Sequence, residues 1–175
     1  YLLSHVNMRP DKYIRDIVKD SRGYIWSGGY YNLKCFNLAT NSVRLYPGLN
    51  SITSIVEKDK DNMWIGTVGG LYLLNRNTGE YQFIEMEIGA AYINTLYQAD
   101  DGLLYIGTNG VGVFVYNHQN KTFKHYFSDN SALVSNRIFT ILPEVNGRIM
   151  MSTENGITCF HTKEKIFTNW TRGEG

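Results

Sequence analysis

Residues 52–75 read ITSIVEKDKDNMWIGTVGGLYLLN. Two apolar residues three apart, Ile52 and Ile55, open the stretch, and the polar turn Asp59-Lys60-Asp61-Asn62 follows. Trp64 then leads into Gly66-Thr67, and a Gly-rich loop precedes a second apolar run. The same order recurs three times. Ile14 to Trp26, Ile93 to Tyr105 and Ile138 to Met150 keep the spacing of Ile52 to Trp64. Ile17, Leu96 and Ile141 match Ile55, and Gly23, Gly102 and Gly147 match Asp61. The anchors at 26, 64, 105 and 150 recur with a period of about 40, the length of a propeller blade.

Within one copy the pattern predicts four short strands. They run from Ile52 to Lys58, Met63 to Thr67, Leu71 to Asn75 and Tyr81 to Ile84. Fourth strands are expected also from Val43 to Tyr46, Thr122 to Phe127 and Lys165 to Trp170. Simple alternation puts Ile52 and Val56 on one face and Ile55 on the other. Strands apolar on both faces belong in a sheet covered on both sides, as stacked blades are. The fold class expected is all-β: a β-propeller segment of four four-stranded antiparallel blades, a partial propeller. The blades fall at approximately 13–47, 51–85, 92–127 and 137–171, with 1–6 a remnant of a preceding blade's outer strand.

Composition agrees. The chain has 175 residues, 17 Gly, 3 Pro and 13 Tyr, which favours strands and tight turns over helices. A net charge of +1 argues against a basic nucleic-acid or membrane-surface face. No apolar run approaches the ~18 residues of a membrane span. The opening residues Tyr1-Leu2-Leu3-Ser4-His5 show no signal-peptide pattern and no initiator Met. A piece of a longer protein is expected.

The pattern I-x-x-I-x-x-D-x-x-G-x-[IL]-W-[IS]-G-[GT], carried most clearly by Ile52 to Asn75, resembles the two-component regulator propeller repeat. Ile93 to Asn117 is similar, with Tyr105 in the Trp place, and the linker Leu133-Val134-Ser135-Asn136-Arg137-Ile138 resembles the family's entry into a blade. Gly29 stands where Thr is usual, and the last copy, with Met150, Met151 and Ser152, is weak. The resemblance implies the periplasmic sensor region of a Bacteroides-type hybrid two-component histidine kinase. It implies a ligand among glycan oligosaccharides, further blades and downstream domains as partners, and no enzyme within these residues. The alternative is a propeller scaffold for protein–protein contact or dimerisation that binds no small molecule.

Candidate chemistry is sparse. The turns at Asp59 and Asp100 have the D-x-D/N spacing of calcium loops without the other ligands, and read as hairpin geometry. His5, His118, His125 and His161 lack metal-site spacing, so no metal and no cofactor is expected. A glycosidase needs two carboxylates facing a cleft, and Asp11, Asp129 and Glu154 are poor candidates for that pair. Cys35 and Cys159 share one repeat position with Leu73 and Val115, which marks them as small buried hydrophobes. Ligand contact is expected from the loops after each second strand: Tyr30, Tyr31, Asn32, Asn109, Glu154 and Asn155. Aromatic rings stack on sugars, and amides and carboxylates bind hydroxyls. Trp26, Trp64, Tyr105 and Met150 are expected to be buried repeat anchors. An open arc of blades would expose Ile14 and Trp26 at one end and Ile138 and Phe160 at the other, which predicts self-association.

Overall fold

The computed structural model describes residues 13–171 and divides the chain into two compact units, 1–84 and 85–175. The segment 1–6, His5 and Asp11 lie outside the described residues. The first unit holds two antiparallel sheets. One is β1 (Ile14–Lys19), β2 (Ile25–Gly29), β3 (Leu33–Asn37) and β4 (Ser42–Tyr46), hydrogen-bonded in that order. The other is β5 (Ile52–Asp59), β6 (Asn62–Thr67), β7 (Gly70–Asn75) and β8 (Tyr81–Ile84). The second unit repeats the plan with β9 (Ile93–Gln98), β10 (Leu103–Thr108), β11 (Val113–Asn117) and β12 (Thr122–Tyr126). Its other sheet is β13 (Ile138–Glu144), β14 (Arg148–Thr153), β15 (Gly156–His161) and β16 (Ile166–Thr171). A 3-10 turn at Val145–Gly147 is the one helical element among the described residues.

The two apolar residues that open each repeat share a face, which corrects the alternation expected for Ile52 and Ile55. Ile52 pairs with Thr67 and Ile55 with Ile65, two positions apart on one strand. A bulge between Ile52 and Ser54 inserts the extra residue that a spacing of three requires. The same irregularity occurs opposite Gly107 and Thr108, between Ile14 and Asp16, and between Ile138 and Thr140. Bulged first strands are therefore part of the repeat.

Each unit has its own core. In the first, Trp26, Leu33 and Cys35 of blade one pack with Ile52, Ile55, Met63 and Ile65 of blade two. In the second, Tyr105 and Val113 of blade three pack with Ile138, Ile141, Ile149 and Met151 of blade four. The Gly two positions after Trp26 and after Tyr105 makes room for this contact. A Cβ on Gly28 would meet Ile52 at 2.5 Å, and one on Gly107 would meet Ile138 at 2.8 Å. Within each unit the opening Ile of the second blade, Ile52 or Ile138, thus seats on the Gly of the first.

Trp26, Trp64 and Tyr105 are each 1% exposed. Met150 occupies the same register, opposite Cys159 as Trp26 is opposite Cys35, yet it is only half-buried. The anchor in blades one and three faces the following blade, and among the described residues nothing follows blade four. Ile14 is exposed as expected, with Ile17 beside it at 68%. Trp26 is buried, as expected of an anchor and not of an open end, and Ile138 and Phe160 are buried where exposure was expected, because these faces are the inner ones of each pair. Leu142, Ile157 and Trp170 are exposed on blade four instead, on the face that carries Met150.

Candidate rim site

Strand order fixes where the loops lie. The turn after β1 and the turn after β3 share one end of a sheet; the loop after β2 and the linker out of β4 share the other. At that second end, here the rim, Thr67, Thr108 and Thr153 do equivalent work. Each hydroxyl donates to the carbonyl that ends its loop, Gly70 at 2.9 Å, Gly112 at 2.6 Å and Gly156 at 2.9 Å. Each also accepts a loop N–H, from Gly69, Val111 and Asn155. Blade one departs, since a Cβ at Gly29 would meet the Tyr13 carbonyl oxygen at 2.1 Å. No Thr clamp fits there, and Tyr30, Tyr31 and Asn32 form the loop instead.

Linkers tie the loops together within each unit. Ser51 N–H donates to the Tyr30 carbonyl at 3.1 Å, and the Ser51 carbonyl accepts from Val68 N–H at 3.0 Å. Asn32 N–H donates to Asn50 Oδ1 at 3.2 Å. In the second unit Arg137 has the place of Ser51. It bridges to Asn109, and its carbonyl accepts from Glu154 N–H at 3.3 Å. The Asn136 carbonyl accepts from Gly110 at 3.1 Å and Gly112 at 2.8 Å. The linker therefore sets the spacing of the loops on either side of it.

The expected site residues fall into two groups, one on each unit's rim. Tyr30 is exposed and meets the half-buried Tyr31 edge-on, ring centroids 4.8 Å apart. Asn32 has φ +34° and is half-buried. In the second unit Asn109, Glu154 and Asn155 are brought to one linker and are all exposed. Asn155 Nδ2 donates to the Val134 carbonyl at 3.0 Å, which engages its amide in holding that linker. Glu154 accepts from Arg137 Nη1 at 2.9 Å, with both side chains about half exposed.

Arg137 is the member that reading the sequence missed. Its repeat equivalents are Ser51 and Tyr92, so its charge is invisible in the pattern; the signal available was its place in the linker. Together Asn109, Arg137 and Glu154 present an amide, a guanidinium and a carboxylate. Such a set can donate to and accept from hydroxyl groups. The opposite ends carry plain turns: Asp59 Oδ1 accepts from Asp61 N–H at 2.9 Å, and Asp101 Oδ1 from Leu103 N–H at 3.0 Å. Burial and the Asp20 charge push the Cys35 thiol up to about 11, which keeps it protonated and unreactive.

Residues 9–31 and 47–69 match the family model described as two component regulator propeller. These two stretches are similar to two-component regulator propeller repeats. The matched model describes a regulator propeller. No curated protein matches the chain. Among solved structures, this chain is similar to the extracellular domain of a B. thetaiotaomicron protein named as a hybrid two component system. Identity is 22% over 93% of this chain, with a TM-score of 0.76. A second such extracellular domain from B. thetaiotaomicron is 23% identical over 89% of the chain, with a TM-score of 0.75. The chain spans 22% and 21% of the lengths of those two domains. Virginiamycin B lyase from Staphylococcus aureus aligns over 96% of this chain and 58% of its own at 13% identity, TM-score 0.77. At these identities the likenesses establish the propeller fold.

Proposed function

We propose that this chain is a ligand-sensing propeller segment of a periplasmic sensor region, belonging to a hybrid two-component histidine kinase. The ligand is a glycan oligosaccharide held at the rim, and its binding is signalled across the membrane by domains outside these residues. The observation that carries the reading is the regulator-repeat match at 9–31 and 47–69. The rim supports it with an aromatic pair on one unit and the Asn109, Arg137 and Glu154 set on the other. Among the described residues no helix is long and apolar enough to cross a membrane.

Calorimetric titration of the chain with a panel of neutral glycan oligosaccharides tests this. At least one should bind, and Arg137→Ala should weaken that binding about tenfold or more, the loss of a charge-assisted hydrogen bond. Binding by none of the panel, together with tight self-association, would favour the scaffold reading. The specific observation behind that second reading is the exposed apolar surface of Ile17, Leu142 and Trp170.

A further inference from the structure

The first unit contains a cleft of about 440 Å³ between its two blades. It lies at the end of the strands that carries the hairpin turns, opposite Tyr30 to Asn32. Arg22, Tyr24, Asn37, Ser42, Arg44 and Arg76 are among its lining residues, and none of the lining residues is acidic. Two of the three cations are neutralised from behind. Arg76 pairs with Asp20 at 2.6 Å and Glu57 at 2.9 Å, and Arg22 with Asp61 at 2.8 Å.

Arg44 differs. Its guanidinium donates to the carbonyls of Arg76 at 3.0 Å, Asn77 at 3.1 Å and Thr78 at 3.0 Å. It also lies 4.9 Å from the centre of the Tyr46 ring. Neutral carbonyls hold the group in place without cancelling its charge. A guanidinium has five N–H groups, and these contacts leave Nε–H and one Nη2–H for another acceptor. The orientation is set before any ligand arrives, which lowers the cost of binding one.

Blade packing alone makes a gap here. The second unit has one of about 290 Å³, in which Asn117, Thr122 and Lys124 stand where Asn37, Ser42 and Arg44 stand in the first. The cation on the outer strand recurs with the gap. Only the first has the planar fork that matches a carboxylate with two parallel hydrogen bonds. Its volume falls within the range of small-molecule sites and admits one or two rings.

We propose that the first-unit cleft binds a small ring compound bearing a carboxylate, the carboxylate on Arg44 and the ring against Tyr24. A sugar acid and an aromatic acid share that chemistry. Titrating the chain with glucuronate, benzoate and glucose separates them. At least one acid should bind tenfold or more tightly than glucose, and which acid binds names the source. Arg44→Gln should lower acid affinity at least tenfold. Because Arg44 also clamps the turn at 76–78, Ser42→Trp, which fills the mouth from an exposed position, serves as the second variant and should give the same loss. Equal binding of acids and glucose, or acid binding retained in either folded variant, would overturn the proposal.

Discussion

Asp20 makes four hydrogen bonds from a side chain that has no exposure. Oδ1 accepts from Arg22 N–H and Tyr24 N–H, each at 2.9 Å, and so closes the β1–β2 turn. Oδ2 accepts from Trp26 Nε1 at 2.8 Å and from Arg76 Nη1 at 2.6 Å, which ties blade one to blade two. Removing one partner of a buried pair leaves an uncompensated charge, so Arg76→Met should cost about 3–5 kcal/mol. Urea unfolding of the variant and the parent measures this directly. Asp59 gives a prediction of opposite character. Burial pushes its carboxyl up, but hydrogen bonds from Lys58, Asp61 N–H and Asn62 outweigh that and hold it at about 2. A depressed carboxylate stabilises the fold above its unfolded value of 3.8, and the contribution is lost as pH falls through about 2. The urea midpoint should therefore fall between pH 4 and pH 2 by more in the parent than in Asp59→Asn. The Asp–Gly turns were legible in the sequence because the repeat marks them. The partner of Asp20 was not, since Arg76 has Leu38, His118 and Thr162 at its equivalent places and belongs to one blade alone.

At the scale of elements, the blade is specified by a small set of positions whose reasons the structure supplies. Ile52 and Ile55 look out of step for a strand until the bulge returns them to one face. A period of three inside a β segment was the sign available, and simple alternation hid it. The Gly after Trp26 and Tyr105 was visible as a repeat position, but its cause lies in the neighbouring blade. Ile138 Cγ2 and Thr95 Cγ2 would sit 2.8 Å and 2.6 Å from a Cβ on Gly107. Gly107→Ala should therefore destabilise by about 1–3 kcal/mol through overpacking. Gly69, whose Cβ would meet only Thr67 Oγ1 at 3.8 Å, should tolerate Ala far better. Paired thermal melts of the two variants separate close approach from a general dislike of losing glycine. The rim loops were also legible as loops, because the Thr clamp recurs beside them. Which rim side chains meet was not legible, because the linker that joins Asn109 to Glu154 differs in length and sequence from blade to blade.

At the scale of the whole molecule, several apolar repeat positions are exposed among the described residues. Ile17 is 68% exposed where Ile55 is 2%, and Leu142 and Trp170 are exposed beside the half-buried Met150. Such surfaces normally mark an interface. The isolated chain should therefore self-associate, and light scattering should return a mass above the 20.0 kDa of one copy. Replacing Ile17 and Leu142 with Ser should restore the monomer. The central claim is that sensing occurs at the rim, and hydrogen–deuterium exchange with and without a binding neutral oligosaccharide tests it most directly. Slowed exchange should appear at residues 30–32, 109–112, 134–137 or 154–155, while the hairpin turns at 20–23, 59–62 and 100–102 exchange as before. Protection confined to those turns, with the rim unchanged, would contradict the account.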